Sequence, residues 1–158
     1  MLNRAKDYAY IMTPYLILDN EMITALTFAA KRGVDVRLIL PHIPDKKGIF
    51  AVTRSNYPEL LEAGVKMYEY TPGFVHAKMI VADDEIAVVG TINFDFRSLF
   101  LHYECGALFY QHPVISDIKK DFDETMEQSQ CMSREDYNRI SPFKRLEGWI
   151  LRIIAPIL

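Results

Sequence analysis

The sequence is short of several things, and each shortage excludes something. Its 158 residues include only two cysteines, Cys105 and Cys131, which are too few for a disulfide scaffold and lack metal-ligand spacing. A reducing compartment fits. Half of the residues are apolar and 12% are aromatic, enough to bury one sizeable core without staples. No apolar run approaches the roughly 20 residues that span a bilayer, and the opening residues lack the pattern of a signal peptide. Any membrane contact is therefore expected to be peripheral, or to come from sequence outside these residues. An excess of positive charge is missing too: 18 Lys and Arg stand against 21 Asp and Glu, a net charge of −3. Nucleic acid is thus not an expected partner. Neither an internal repeat nor a low-complexity stretch occurs.

What is present reads as alternating strands and helices. A strand-like run from Tyr8 to Thr13 comes almost at once, as in a piece cut from something longer. Asp19 or Asn20 can cap a helix carrying Met22, Leu26 and Ala29 on one face and ending in Lys31, Arg32 and Gly33. In "VDVRLIL", Val34, Val36, Leu38 and Leu40 share a face, and Ile39 makes the other partly apolar, as in a strand covered on both sides. A loop rich in proline and charge leads into a helical stretch, and "PELLEAG" gives a short helix. "VKMYEY", "VHAKMIVA", "EIAVVG" and "ECGALFY" read as strands, and an acidic helix follows from Pro113 to about Gln130. The expected fold class is α/β, a mixed sheet with helices on its faces.

The chemistry concentrates in "GFVHAKMIVADDEIAVVGTINFDFRS". If "VHAKMIVA" is a strand, His76 and Lys78 project to one side, and Val75, Ala77, Met79 and Val81 to the other, where a core can form. An imidazole and an ammonium on one face repel each other unless an anion lies between them. The turn Gly90-Thr91-Ile92-Asn93 can aim the Thr91 hydroxyl, the Asn93 amide and backbone N–H groups at the same anion. Glu104 can hydrogen-bond the far nitrogen of His76 and fix its tautomer. Taken singly, H-x-K in a strand is ordinary surface decoration and Asn in a turn serves turn geometry. The joint pattern is what suggests an oxyanion site. Asp83, beside Asp84 between two strands, reads as a turn or structural salt-bridge residue. His42, His102 and His112 read as loop or satisfied structural histidines. Tyr15, Tyr57 and Phe74 are candidates to line a substrate cleft, although aromatic residues at such places more often pack.

His76-x-Lys78-x4-Asp83-x6-Gly90-Thr91-x-Asn93 resembles the H-K-D motif of the phospholipase D superfamily. With "TPYLILD", "LLEAGVKMYEY" and "GTINFDFRS", the chain is similar to the C-terminal half of bacterial cardiolipin synthases. The resemblance implies an α/β/α sandwich that is one half of a two-lobed enzyme, with residues 1–132 as its half-domain. It also implies exchange at phosphorus through a phosphohistidine, with phosphatidylglycerol as the anionic substrate and neither metal nor cofactor. His76 would be one of two histidines, Lys78 and Asn93 would bind phosphoryl oxygens, Thr91 and Gly90 would support them, and Glu104 would orient His76. Only one such motif is present. The second is expected from a missing N-terminal half or from a homodimer partner.

The last segment, 133–158, is expected to be an amphipathic tail. Phe143, Leu146, Ile150, Ile153 and Ile157 fall at helical spacing, with Lys144, Arg145, Glu147 and Arg152 on the other side. An interfacial helix on an anionic membrane surface and a helix docked on the domain's own core both fit, and Pro156 suits either. The expectation is a phosphatidyltransferase at the cytoplasmic face of a bacterial cell membrane. The alternatives are a homodimeric phosphodiesterase or nuclease and a catalytically silent membrane-binding half.

Overall fold

The computed structural model describes residues 1–154. Its strands are β1 (Tyr8–Met12), β2 (Asp35–Pro41), β3 (Lys66–Tyr70), β4 (Met79–Ala82), β5 (Ile86–Gly90), β6 (Gly106–Tyr110) and β7 (Ser129–Met132). They form one sheet in the order β6-β5-β4-β1-β2-β3-β7. β1, β2 and β3 are parallel, while β4, β5, β6 and β7 each run antiparallel to their neighbours. The helices are α1 (Asn20–Lys31), α2 (Lys47–Ser55), α3 (Tyr57–Glu62), α4 (Val114–Glu127), α5 (Arg134–Asn138) and α6 (Pro142–Ile153).

Strand β2 explains the layering. Val36, Leu38 and Leu40 enter a core shared with Leu26 of α1 and Leu60 of α3, whereas Ile39 points into a second core with Ile115, Phe122 and Met126 of α4. The sheet is thus covered on both faces, as the pattern of "VDVRLIL" led one to expect, and the result is the α/β/α sandwich that the resemblance implied. Helix α1 starts where Asp19 accepts a hydrogen bond from the Met22 N–H (2.7 Å) and is followed by Gly33 at φ +94°, a conformation costly for any residue with a Cβ.

Asp83 and Asp84 form the β4–β5 turn with φ of 54° and 52°, a left-handed pair that aspartate tolerates better than most residues. The Asp83 carboxylate accepts hydrogen bonds from the backbone N–H groups of Lys6, Asp7 and Tyr8 at 2.8–2.9 Å. It ties the chain before β1 to the far end of β4. Burial pushes its carboxyl up, but the three N–H groups outweigh this and hold it below the usual carboxylate range. Lying roughly 16 Å along an extended chain from Lys78, Asp83 takes the turn role read from the sequence.

The structure departs from sequence expectations in two places. β4 begins only at Met79, so His76 and Lys78 lie in the extended approach to it. The helix expected to reach Gln130 stops at Glu127, and the chain returns as β7, whose polar "SQCM" pairs with β3. The C-terminal helix expected after Met132 is present and docked on the domain: Tyr137 is buried in the α1–α3 core, and α6 lies against α2, with Gly148 on the Ala51 carbonyl. Phe143, Leu146, Ile150 and Ile153 face solvent, while Pro156 and Ile157 lie outside the described residues. Among the described residues no helix is long and apolar enough to cross a membrane.

Replacing Asp83 with Ala removes three charge-assisted hydrogen bonds, expected to cost about 2–3 kcal/mol and to lower Tm by roughly 4–12 °C. Since the folded carboxyl is depressed, this stabilisation is present above the unfolded pKa of about 3.9 and is lost as pH falls below it. Thermal circular dichroism at several pH values should therefore show a gap between wild type and Asp83→Ala at neutral pH that narrows in acid, down to the pH-independent cost of Ala at a left-handed φ.

Candidate active site

Val75, Ala77 and Met79 pack against the α4-side core, which turns His76 and Lys78 to the opposite face. The Gly90 N–H donates to the Lys78 carbonyl (3.1 Å), extending the β4–β5 ladder by one step and setting Lys78 opposite Gly90. His76 is exposed and Lys78 half-buried, with the ammonium donating to the His76 carbonyl oxygen at 2.7 Å. Burial lowers the pKa of Lys78, partly offset by Glu104 and Asp95. The ammonium forms no ion pair among the described residues, which leaves its charge available to an anion.

Gly90 is required by a close approach. A Cβ there would collide with the Cys105 carbonyl and the Cα of Gly106, which fixes how tightly β6 lies on β5. Thr91 seals this crossing. Its N–H donates to the Cys105 carbonyl (2.9 Å), its hydroxyl accepts from the Cys105 N–H (3.0 Å), and the same hydroxyl donates to Glu104. Two expectations are corrected here. The Thr91 hydroxyl is committed to Glu104, so it is not a free donor for an anion, and Glu104 takes its hydrogen bond from Thr91 instead of from the imidazole. Hydrogen bonds from Thr91 and then Ser98 hold Glu104 below the usual carboxylate range, with His102 and Lys78 adding to the effect.

Asn93 is placed by the segment that follows β1. The Ile17 N–H donates to the Phe94 carbonyl (2.8 Å), and the Phe94 N–H donates to the buried Thr13 hydroxyl (3.3 Å). The Asn93 amide donates to Ser98 (3.2 Å), while its Oδ1 is buried without a partner among the described residues. Such an orphan is uncommon in a folded chain. Sequence reasoning missed Ser98 and Asp95. Both are buried, and the Ser98 N–H donates to the Asp95 carboxylate (2.8 Å) at the start of a π-helical turn, Arg97–Leu101. Their signal was the "FDFRS" after the turn, where an Asp three residues ahead of a Ser can cap a helical turn.

Of the cleft candidates, Tyr15 and Phe74 stand by the motif, with ring centroids 6.4 Å apart and Phe74 5.7 Å from the His76 ring. The Tyr15 hydroxyl donates to Asp45 (2.6 Å), and burial together with that bond pushes its pKa up to about 12. Tyr57 is not in a cleft. It is fully buried, and its hydroxyl donates to the equally buried Glu69 (3.0 Å), so core packing claims it. His42 also bonds Glu69 (2.8 Å), and His112 accepts from the Val114 N–H (3.2 Å), as structural histidines do. Among the described residues no group of three or more His, Cys, Asp or Glu is arranged to hold a metal ion.

A doubly covered mixed sheet with His76, Lys78 and the Gly90 turn at the same end of β4 and β5 is the fold of a phospholipase D-like domain. The family profile described as "Cardiolipin synthase, PLD-like domain" matches residues 1–126, and the chain belongs to this family. It is 55% identical over 158 residues to an uncharacterised protein of Streptococcus mutans and 40% identical to a cardiolipin synthase of Halalkalibacterium halodurans. All of the chain is covered in both cases, and it spans about a third of those relatives' length, 34% and 31%. The crystal structure of a phosphatidylserine synthase from Haemophilus influenzae shares the fold, with a TM-score of 0.74 at 18% identity, over 99% of this chain and 43% of that one.

Because Thr91 is the largest influence holding Glu104 down, Thr91→Val should raise the Glu104 pKa toward the ordinary carboxylate value. A carboxyl-detected NMR titration of the two proteins measures this directly. An unmoved Glu104 would show that Thr91 does not set its charge.

Proposed function

We propose that this chain supplies one half of the active site of a phosphatidyltransferase of the cardiolipin synthase type, converting two phosphatidylglycerols into cardiolipin and glycerol. The observation that carries the reading is an exposed imidazole, His76, beside the half-buried ammonium of Lys78, both turned away from the core. In this reading a histidine nitrogen attacks phosphorus and forms a P–N bond as the P–O bond to glycerol breaks. The departing oxygen takes a proton from the second histidine. That histidine then removes a proton from a hydroxyl of the incoming phosphatidylglycerol, whose oxygen attacks phosphorus and breaks the P–N bond. Lys78 and Asn93 stabilise the charge that builds on the phosphoryl oxygens. Glu104 acts on the imidazole only indirectly, by holding the Thr91 turn and sharing the field of Lys78.

The second histidine is proposed to come from another segment of a longer chain, since the relatives named above are about three times as long. The edge beside the site suits such a lobe. Among the described residues β6 is an unpaired edge strand, and Phe100, Leu101, Tyr103, Leu108 and Tyr110 are exposed around it. Apolar edges of this kind are normally covered. A second copy of this chain meeting the same edge about a two-fold axis is the alternative assembly.

In a protein containing both motifs, His76→Ala should abolish formation of cardiolipin from phosphatidylglycerol vesicles with the fold intact. Lys78→Ala should slow it about 100- to 1,000-fold. Lipid extraction with mass spectrometry gives the rates, and near-normal turnover in His76→Ala would sink the reading. The isolated chain is expected to turn over little lipid unless it dimerises, which light scattering alongside the assay would reveal.

A further inference from the structure

The geometry points to a second anion site on this chain, a pocket between α2 and α6 that binds the headgroup of an anionic phospholipid. This inference rests on the reading that the protein works on lipid. The pocket is a cavity of about 340 Å³ lined by Lys47, Phe50 and Arg54 of α2 and by Lys144, Arg145 and Glu147 of α6, among others. Arg54 is neutralised by Glu69 beneath it and stacks over Phe50. Lys47, Lys144 and Arg145 form no ion pair among the described residues, so three cations face one acid, Glu147. The need is for a negative group with an apolar body, because Phe50, Tyr137 and Ile140 form part of the wall.

Two further observations select a lipid. First, α6 is inverted. It docks through Gly148 and Leu151, and turns Phe143, Leu146, Ile150 and Ile153 outward on the opposite side, where 56–83% of each is exposed. A helix exposing an apolar stripe with cations at its flank is built to lie in a headgroup layer. Second, the pocket adjoins the candidate site. Pro44 and Phe50 also wall a small crevice that reaches Tyr15 and Phe74, and the Phe74 ring is next to His76. A phospholipid held here would keep its headgroup on the approach to the imidazole while its chains stay in the bilayer beside α6.

The test is co-sedimentation of the 158-residue chain with vesicles of pure phosphatidylcholine or with phosphatidylglycerol added, at low and high salt. Wild type should prefer the anionic vesicles, and the preference should fade with salt. Each cation near an anionic surface is worth about five-fold, so Lys47→Gln with Lys144→Gln should weaken binding to anionic vesicles by roughly 25-fold and leave binding to phosphatidylcholine unchanged. Ile150→Ser with Phe143→Ser should weaken binding to both. Far-UV circular dichroism confirms that the variants are folded. An unchanged preference in the Lys47/Lys144 variant overturns the pocket, whatever α6 does. Backbone NMR shifts at Lys47 and Lys144 with inorganic phosphate alone, without vesicle binding, overturn the lipid assignment in favour of a free phosphate. Binding is read without turnover, so a failed transferase reading and a failed pocket are separable.

Discussion

A carboxylate with no access to water has to be paired, and Glu69 of β3 is such a group, with a fully buried side chain. Arg54 of α2 grips it with two nitrogens at 2.9 and 2.6 Å, the Tyr57 hydroxyl donates from α3, and His42 reaches it from the loop after β2. Four segments are thereby held at the C-terminal ends of the parallel strands. Breaking such a group by removing one partner costs about 3–5 kcal/mol, so α2 has little freedom to drift. The crevice wall carrying Tyr15 and Phe74, and the seat on which α6 rests, are both defined by where α2 stands.

That network also explains where sequence reading worked and where it failed. Alternation in "VDVRLIL" and "VHAKMIVA" reports directly on which faces are covered, because a strand's side chains have no other way to divide. The division of Val75, Ala77 and Met79 from His76 and Lys78 was therefore legible, even though the strand itself starts later. Tyr57 was not. An aromatic residue with a hydroxyl suits a cleft or a buried polar partner equally, and the partner, Glu69, is separated from it by twelve residues and a turn. β7 was hidden for another reason: an edge strand of "SQCM" has only one buried side chain, Met132, and so carries almost no pattern.

At the site, the residues that carry charge were readable and those that set distances were not. Gly90 looks like a turn glycine, yet its function in the fold is to let the Cys105 carbonyl and Gly106 approach where a Cβ would stand. Only that approach brings Thr91 within reach of Glu104, and Glu104 within the field of Lys78. The motif's acidic member, Asp83, works at the other end of β4, where three backbone N–H groups consume its acceptors. One hydrogen-bonded ladder thus has its charge chemistry at one end and its structural anchor at the other.

Helix α6 carries the same logic to the surface. Ordinarily an amphipathic helix docks by its apolar face, since that is where burial is favourable. Here the contact with α2 is chosen by size: Gly148 has no Cβ to keep the backbones apart, and the Ala51 carbonyl occupies the place where one would be. Leu151 adds an apolar contact with Ile17 and Val52, and Arg152 reaches Glu59 at 3.6 Å. Once Gly148 faces inward, the helical period leaves Leu146, Ile150 and Ile153 no direction but outward. Their exposure follows from the glycine on one helix and the fixed position of the other, and that position leads back through Arg54 to the buried carboxylate of Glu69.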